Sequence, residues 1–181
     1  VRVRDHTNVI HNYCKKHLNG GDFMEPKVIT LPLFHVVGYR IEANLKELES
    51  DLGRNTYQSL IVRKDEIQNK KNENVILMQI YPMKPNFNPQ VDRFTQILCY
   101  EISEPGHIPS EMISHSIHES KYVTYTHKGL ESGLSRTYDY VYGQWIRETG
   151  NKPKGYDFEV WDERYKPESH DNEIDLYVAL V

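Results

Sequence analysis

The clearest chemistry in this sequence belongs to a carboxylate set among aromatic side chains. Residues 156–165 read YDFEVWDERY, and strand alternation puts Asp157, Glu159 and Trp161 on one face and Phe158, Val160 and Asp162 on the other. Glu159 then has an indole beside it. A cation over an aromatic ring gains about 0.5 to 2 kcal/mol, and a carboxylate held away from water is costly unless something neutralises it. The two terms together suit a flat, cationic organic ligand. A strand Glu is ordinarily solvent-exposed, so the case for Glu159 rests on its neighbours.

Those neighbours need a helix and a last strand to hold them. Between Glu131 and Arg147, Leu134, Tyr138, Val141, Tyr142 and Trp145 fall at i, i+4, i+7, i+8 and i+11, which is one continuous helical face. In EIDLYVALV, Ile174, Leu176, Val178 and Leu180 take one face of a strand and Asp175, Tyr177 and Ala179 the other. A register setting Tyr177 near Glu159 would add a hydroxyl beside the carboxylate. Upstream, SKYVTYTHK reads as a further strand, and the same order occurs in the first half of the chain. There VITLPLFHVVGYRI is a strand with a bend or edge at Pro32. Arg54 to Asn69 carries a helical spacing, and VILMQIYPM and FTQILCYEIS are two strands joined by the turn-rich KPNFNPQVDR. The expected fold is α+β, with two strand-helix-strand-strand units forming a curved antiparallel sheet, two main helices and a central ligand groove. The units cover about 27–104 and 113–181 of one domain spanning 27–181. Residues 1–26, with a Gly20-Gly21 pair and no initiating Met, read as an extension or linker.

Five segments in this order resemble the GyrI-like small-molecule-binding domain, the bacterial effector-binding domain of multidrug regulators. They are VITLPLFHVVGYRIE, YVTYTHKG, TYDYVYGQWI, DFEVWDERY and EIDLYVALV, and they run from Lys27 to Val181. The resemblance implies that the family's pocket Glu is Glu159 and that aromatic pocket positions are Trp145 and Tyr177. Tyr39, Tyr100 and Tyr142 are added as further lining residues, beside Trp161 from the alternation. It also implies binding of hydrophobic, aromatic, cationic molecules, as a regulator's effector domain or as a free-standing sequestering protein. Two other activities follow from branches of the family. One is hydrolysis of electrophilic cyclopropane-type compounds with Glu159 and Tyr177 as the catalytic pair, a Glu handling water and a Tyr protonating the leaving oxygen. The other is a gyrase-inhibitor-like contact with a protein partner.

Composition narrows the classes further. The 181 residues are 38% hydrophobic and 27% charged, as in a soluble globular domain, and thirteen Tyr against five Phe favour a surface that recognises something. Net charge is −4 with no long Lys/Arg run, so this chain is not expected to bind nucleic acid by itself; a DNA-binding segment would lie elsewhere. Cys14 and Cys99 make neither a disulfide framework nor a zinc site, which fits the cytoplasm. No membrane span, signal core, nucleotide loop or nucleophile elbow is present, and no cofactor is expected. No metal is expected either, because His115 and His118 would fall on opposite faces of a strand.

Overall fold

Eight antiparallel strands form a single sheet in the computed structural model of the protein, which describes residues 25–181. They are β1 (Lys27–Leu31), β2 (Phe34–Ala43), β3 (Lys70–Ile80), β4 (Phe94–Ile102), β5 (Ile113–Ile117), β6 (Ser120–Lys128), β7 (Pro153–Trp161) and β8 (Glu173–Leu180). Their order across the sheet is β1-β6-β8-β7-β3-β4-β2-β5. Replacing β1 to β4 by β5 to β8 maps this order onto its reverse, so the strand order has twofold symmetry about the β7–β3 seam. Pro32 ends β1, and after Leu33 the chain starts β2 at the opposite side of the sheet, so the expected bend is a change of strand. The extension expected over 1–26 lies, apart from Glu25 and Pro26, outside the described residues.

The sheet curls into a half-barrel. Phe34 on β2 meets Phe158 on β7 edge to face at 5.7 Å although β4 and β3 lie between them, and Tyr122 on β6 meets Phe158 from the other direction at 5.4 Å. These rings, with Val36, Met78, Ile97 and Cys99, fill the concave face. Gly38 permits part of this curvature, since a Cβ there would sit 2.0 Å from the Leu98 carbonyl oxygen on β4.

Both helices cover the other face. α1 occupies residues 45–62, opens on an Asn44/Glu47 capping box, kinks at Ser50 and is regular over Gly53–Val62. Its Leu60 packs on Val37, Val75, Leu98 and Tyr100. α2 occupies residues 134–149, widens to a π-helical turn over Asp139–Trp145 and stops at Gly150, whose φ of 71° is the left-handed conformation of a helix C-cap. Its Val141 and Ile146 pack on Val123, Leu176, Val178 and Leu180. The pairing of Glu159 with Leu77 on β3 and Leu176 on β8 puts the carboxylate between these two helix-covered clusters. No helix among the described residues is long and apolar enough to cross a membrane.

Candidate functional site

A bulge at the start of β7 sets the face on which the carboxylates lie. The pairing of β7 with β8 shifts between Pro153 and Asp157, and Gly155 takes a φ of +92° that a residue with a side chain would adopt only under strain. Beyond it the alternation is regular, and Asp157, Glu159 and Trp161 all point to the helix face as the sequence pattern requires.

Glu159 is 3% exposed and both of its oxygens are hydrogen-bonded. The Tyr138 hydroxyl donates to Oε1 at 2.7 Å, and the Trp161 indole Nε1 donates to Oε2 at 2.8 Å. Asp157 is completely buried and forms the second half of the network. Tyr142 donates to its Oδ2 at 2.5 Å, and Gln79 Nε2 reaches both its Oδ1 at 3.1 Å and the Tyr138 oxygen at 2.9 Å. Gln79 and Tyr138 thereby link the two carboxylates. Tyr138 and Tyr142, one helical turn apart on α2, lie parallel with ring centres 6.3 Å apart.

Burial governs the electrostatics. Loss of water pushes the Glu159 carboxyl up to about 7, with the Asp157 charge adding to the rise and the Tyr138 and Trp161 hydrogen bonds opposing it. Asp157 is pushed up to about 6 by the same burial, offset by hydrogen bonds from Tyr142, Tyr81, Gln79 and Tyr138. Both carboxyls thus hold their protons to higher pH than exposed carboxyls do, and no Lys or Arg is among the groups raising or lowering either one. A buried anionic site whose hydrogen-bond donors are all neutral is suited to receive a cation.

Aromatic groups wall this site. Trp161 stacks on Tyr165 at 4.5 Å and 4°, and Tyr57 of α1 meets it edge-on at 5.6 Å. Tyr165 is tethered through its hydroxyl to Glu131 at 2.9 Å. The loop that carries Tyr165 is fastened by Arg164, which binds Asp162, Glu173 and Asp175, and by the buried Asn172, which donates to the Gly129 carbonyl.

Of the residues expected from the sequence, Glu159, Trp161 and Tyr142 come together here. Trp145 lies on α2 at the rim of the cluster formed by Val141, Ile146 and Leu176. Tyr39 and Tyr100 share the helix face but belong to the α1 side. The Tyr39 hydroxyl accepts from Arg63 at 2.8 Å, and the Tyr100 ring is 1% exposed with the Lys70 ammonium 5.0 Å from its centre.

Tyr177 is the correction. β8 pairs Tyr177 with Phe158, and Leu176 with Glu159, so the Tyr177 ring stacks on Phe158 at 4.7 Å on the concave face. It sits across the sheet from Glu159, and the two cannot act as a base and proton-donor pair. Tyr177→Phe should therefore change the affinity for a cationic ligand by less than about twofold, since no hydrogen bond at the site is lost; calorimetric titration checks this. Tyr177 instead lines a shallow groove of about 200 Å³ with Thr126 and Asp175, while a groove of about 470 Å³ lies beside Tyr39, Val62 and Arg63; Glu159 lines neither.

Asp157, Tyr138 and Gln79 were not among the expected site residues. Asp157 had a visible signal, being two residues before Glu159 on the same strand face. Tyr138 had one too, on the aromatic face of α2, where it reads equally well as core. Gln79 had none, because its role depends on which strand pairs with β7.

Comparison with known proteins decides the family. The family described as integron-associated effector binding proteins matches residues 27–180. This chain belongs to that family. The effector-binding chain is also 26% identical over 159 residues to the transcriptional regulator BrlR of Pseudomonas aeruginosa, a match covering 87% of this chain and 56% of that protein. The chain thus spans little more than half the length of that curated relative. Among solved structures, SAV2435 bound to tetraphenylphosphonium superposes with a TM-score of 0.68 at 14% identity, covering 87% of this chain and 94% of that one. An integron cassette protein from the mobile metagenome of Vibrio cholerae gives 0.62 at 14% identity, covering 88% and 97%. At these identities the superpositions establish a common fold, the curled sheet with two helices.

Proposed function

We propose that this effector-binding chain takes up hydrophobic, aromatic cations at Glu159, between α1 and α2. The observation that carries the reading is a buried carboxylate with two neutral donors and aromatic rings around it. Such a group is stabilised by a cation more than by the hydroxyl and indole it holds now, because an ion pair in a poorly hydrated site is stronger than a neutral hydrogen bond. Entry of a ligand requires Glu159 to lose its proton and at least one donor to move away. The family assignment, the regulator BrlR and the tetraphenylphosphonium complex of SAV2435 all support a small-molecule effector over a metabolic substrate.

The catalytic reading with Tyr177 has no support in the geometry, and effector sensing is the role we adopt. In a regulator, occupancy of the site would act on α2. Tyr138 contacts the ligand-binding carboxylate, and Tyr142 on the same helix is bound to Asp157.

Calorimetry with tetraphenylphosphonium and with the neutral triphenylphosphine oxide tests the charge preference. The cation is expected to bind at least tenfold tighter at pH 8. Equal affinity for the two would remove Glu159 as the counter-charge, and saturable binding of the neutral compound alone would reverse the reading.

A further inference from the structure

The two donors that hold Glu159 are anchored very differently. Tyr138 lies in the interior of α2, accepts from Gln79 and stacks with Tyr142, so its hydroxyl is fixed from three directions. Trp161 is the last residue of β7, is only partly buried, and makes its single polar contact through the indole N–H to Glu159. Its ring lies flat on Tyr165 and against the edge of Tyr57. Tyr165 does not depend on Trp161 for its place, because its hydroxyl is held by Glu131 and its loop by Arg164 and Asn172. The indole therefore occupies a preformed slot: an aromatic floor, an aromatic wall and a carboxylate at one edge.

We propose that Trp161 is an intramolecular placeholder for the ligand, and that the slot selects a planar, indole-sized aromatic cation carrying its charge or an N–H donor at the ring edge. This rests on the reading that Glu159 receives the cation and specifies the shape of what it receives. Such a ligand reproduces each contact of the indole, the stack on Tyr165, the edge contact with Tyr57 and the bond to Oε2, and adds a full charge opposite the carboxylate. Binding is then an exchange in which the indole leaves Glu159 and swings toward solvent from the strand end. Affinity is lowered by the stability of the closed state, so weakening the placeholder strengthens the ligand.

The test uses protonated 4-aminoquinoline, a planar bicyclic cation with a ring-edge N–H, as the probe and follows the two indole N–H signals, from Trp145 and Trp161, by proton–nitrogen correlation spectra of the wild-type protein. Trp161→Phe assigns them. On saturation the Trp161 signal should move from its carboxylate-bonded position toward that of an indole in water. Trp161→Ala should bind the probe about tenfold more tightly than wild type, with a smaller gain for the tetrahedral tetraphenylphosphonium. A wild-type protein that binds the probe with the Trp161 signal unmoved overturns the placeholder and leaves the Glu159 reading standing. So does weaker binding by Trp161→Ala with its fold intact by circular dichroism, which would make Trp161 a wall of the occupied site. Absence of probe binding in wild type and in both variants overturns the placeholder and the cation site together. The spectra of the wild type decide the matter even if Trp161→Ala does not fold.

Discussion

Glu159→Gln should weaken binding of a lipophilic cation by about 2 kcal/mol, roughly thirtyfold, and leave a neutral aromatic ligand within about twofold. The substitution suits the test because the structure accommodates it. Trp161 Nε1 is a donor only, so the Gln oxygen must face it, and the amide NH2 then faces the Tyr138 oxygen, which can accept. Shape survives while the charge is removed, and the Tyr138 proton turns from residue 159 to the Asp157 carboxylate, which it already helps to stabilise. A second consequence separates charge from packing. With the Glu159 carboxyl near 7, the wild-type preference for the cation grows between pH 6 and pH 8, because more of the protein is ready to form the ion pair. In Glu159→Gln that growth should shrink. Parallel titrations of both proteins with tetraphenylphosphonium and triphenylphosphine oxide provide the measurement. Equal losses for the two compounds would mean that the substitution damaged the pocket rather than its charge.

How much of this site was written in the chain depends on which contacts are local. Strand alternation placed Asp157, Glu159 and Trp161 on one face, and helical spacing gathered Tyr138, Val141, Tyr142 and Trp145, because both rules need only neighbours in sequence. The order of both helices and of every strand but β5 was legible for the same reason, with β1 and β2 read as one bent strand. Pairing between strands was not. Tyr177 was expected beside Glu159, and a one-residue difference in the β7–β8 register carried it to the opposite face, next to Phe158. That register follows from the bulge around Gly155, which composition does not announce. β5 was missed as a strand because ISHSI sets three polar residues in a row, Ser114, His115 and Ser116, between its two isoleucines, and it becomes a strand through pairing with β2.

Whether Glu159 is a liability to the fold as well as an asset to the site is answered by pH. Its folded-state carboxyl lies near 7 against an ordinary value of 4.5, and Asp157 lies near 6 against 3.8. Between those values the folded protein keeps protons that the unfolded chain has released, so folding stability falls as pH rises. For Glu159 the loss begins near pH 4.5 and is complete above about pH 7, amounting to about 3 kcal/mol. Other groups act in the opposite sense: Glu66, Glu73, Asp92 and Asp162 are held below their ordinary values by neighbouring Lys and Arg. They are common to wild type and Glu159→Gln and cancel in the difference. Urea unfolding of the two proteins from pH 4.5 to pH 8 should therefore show the variant gaining on the wild type by about 3 kcal/mol across the window, with Asp157→Asn gaining over a window about one pH unit lower. A pH-independent difference for Glu159→Gln would show that the carboxylate ionises as if hydrated. The closed arrangement of Tyr138 and Trp161 around it could not then be the resting state of the protein.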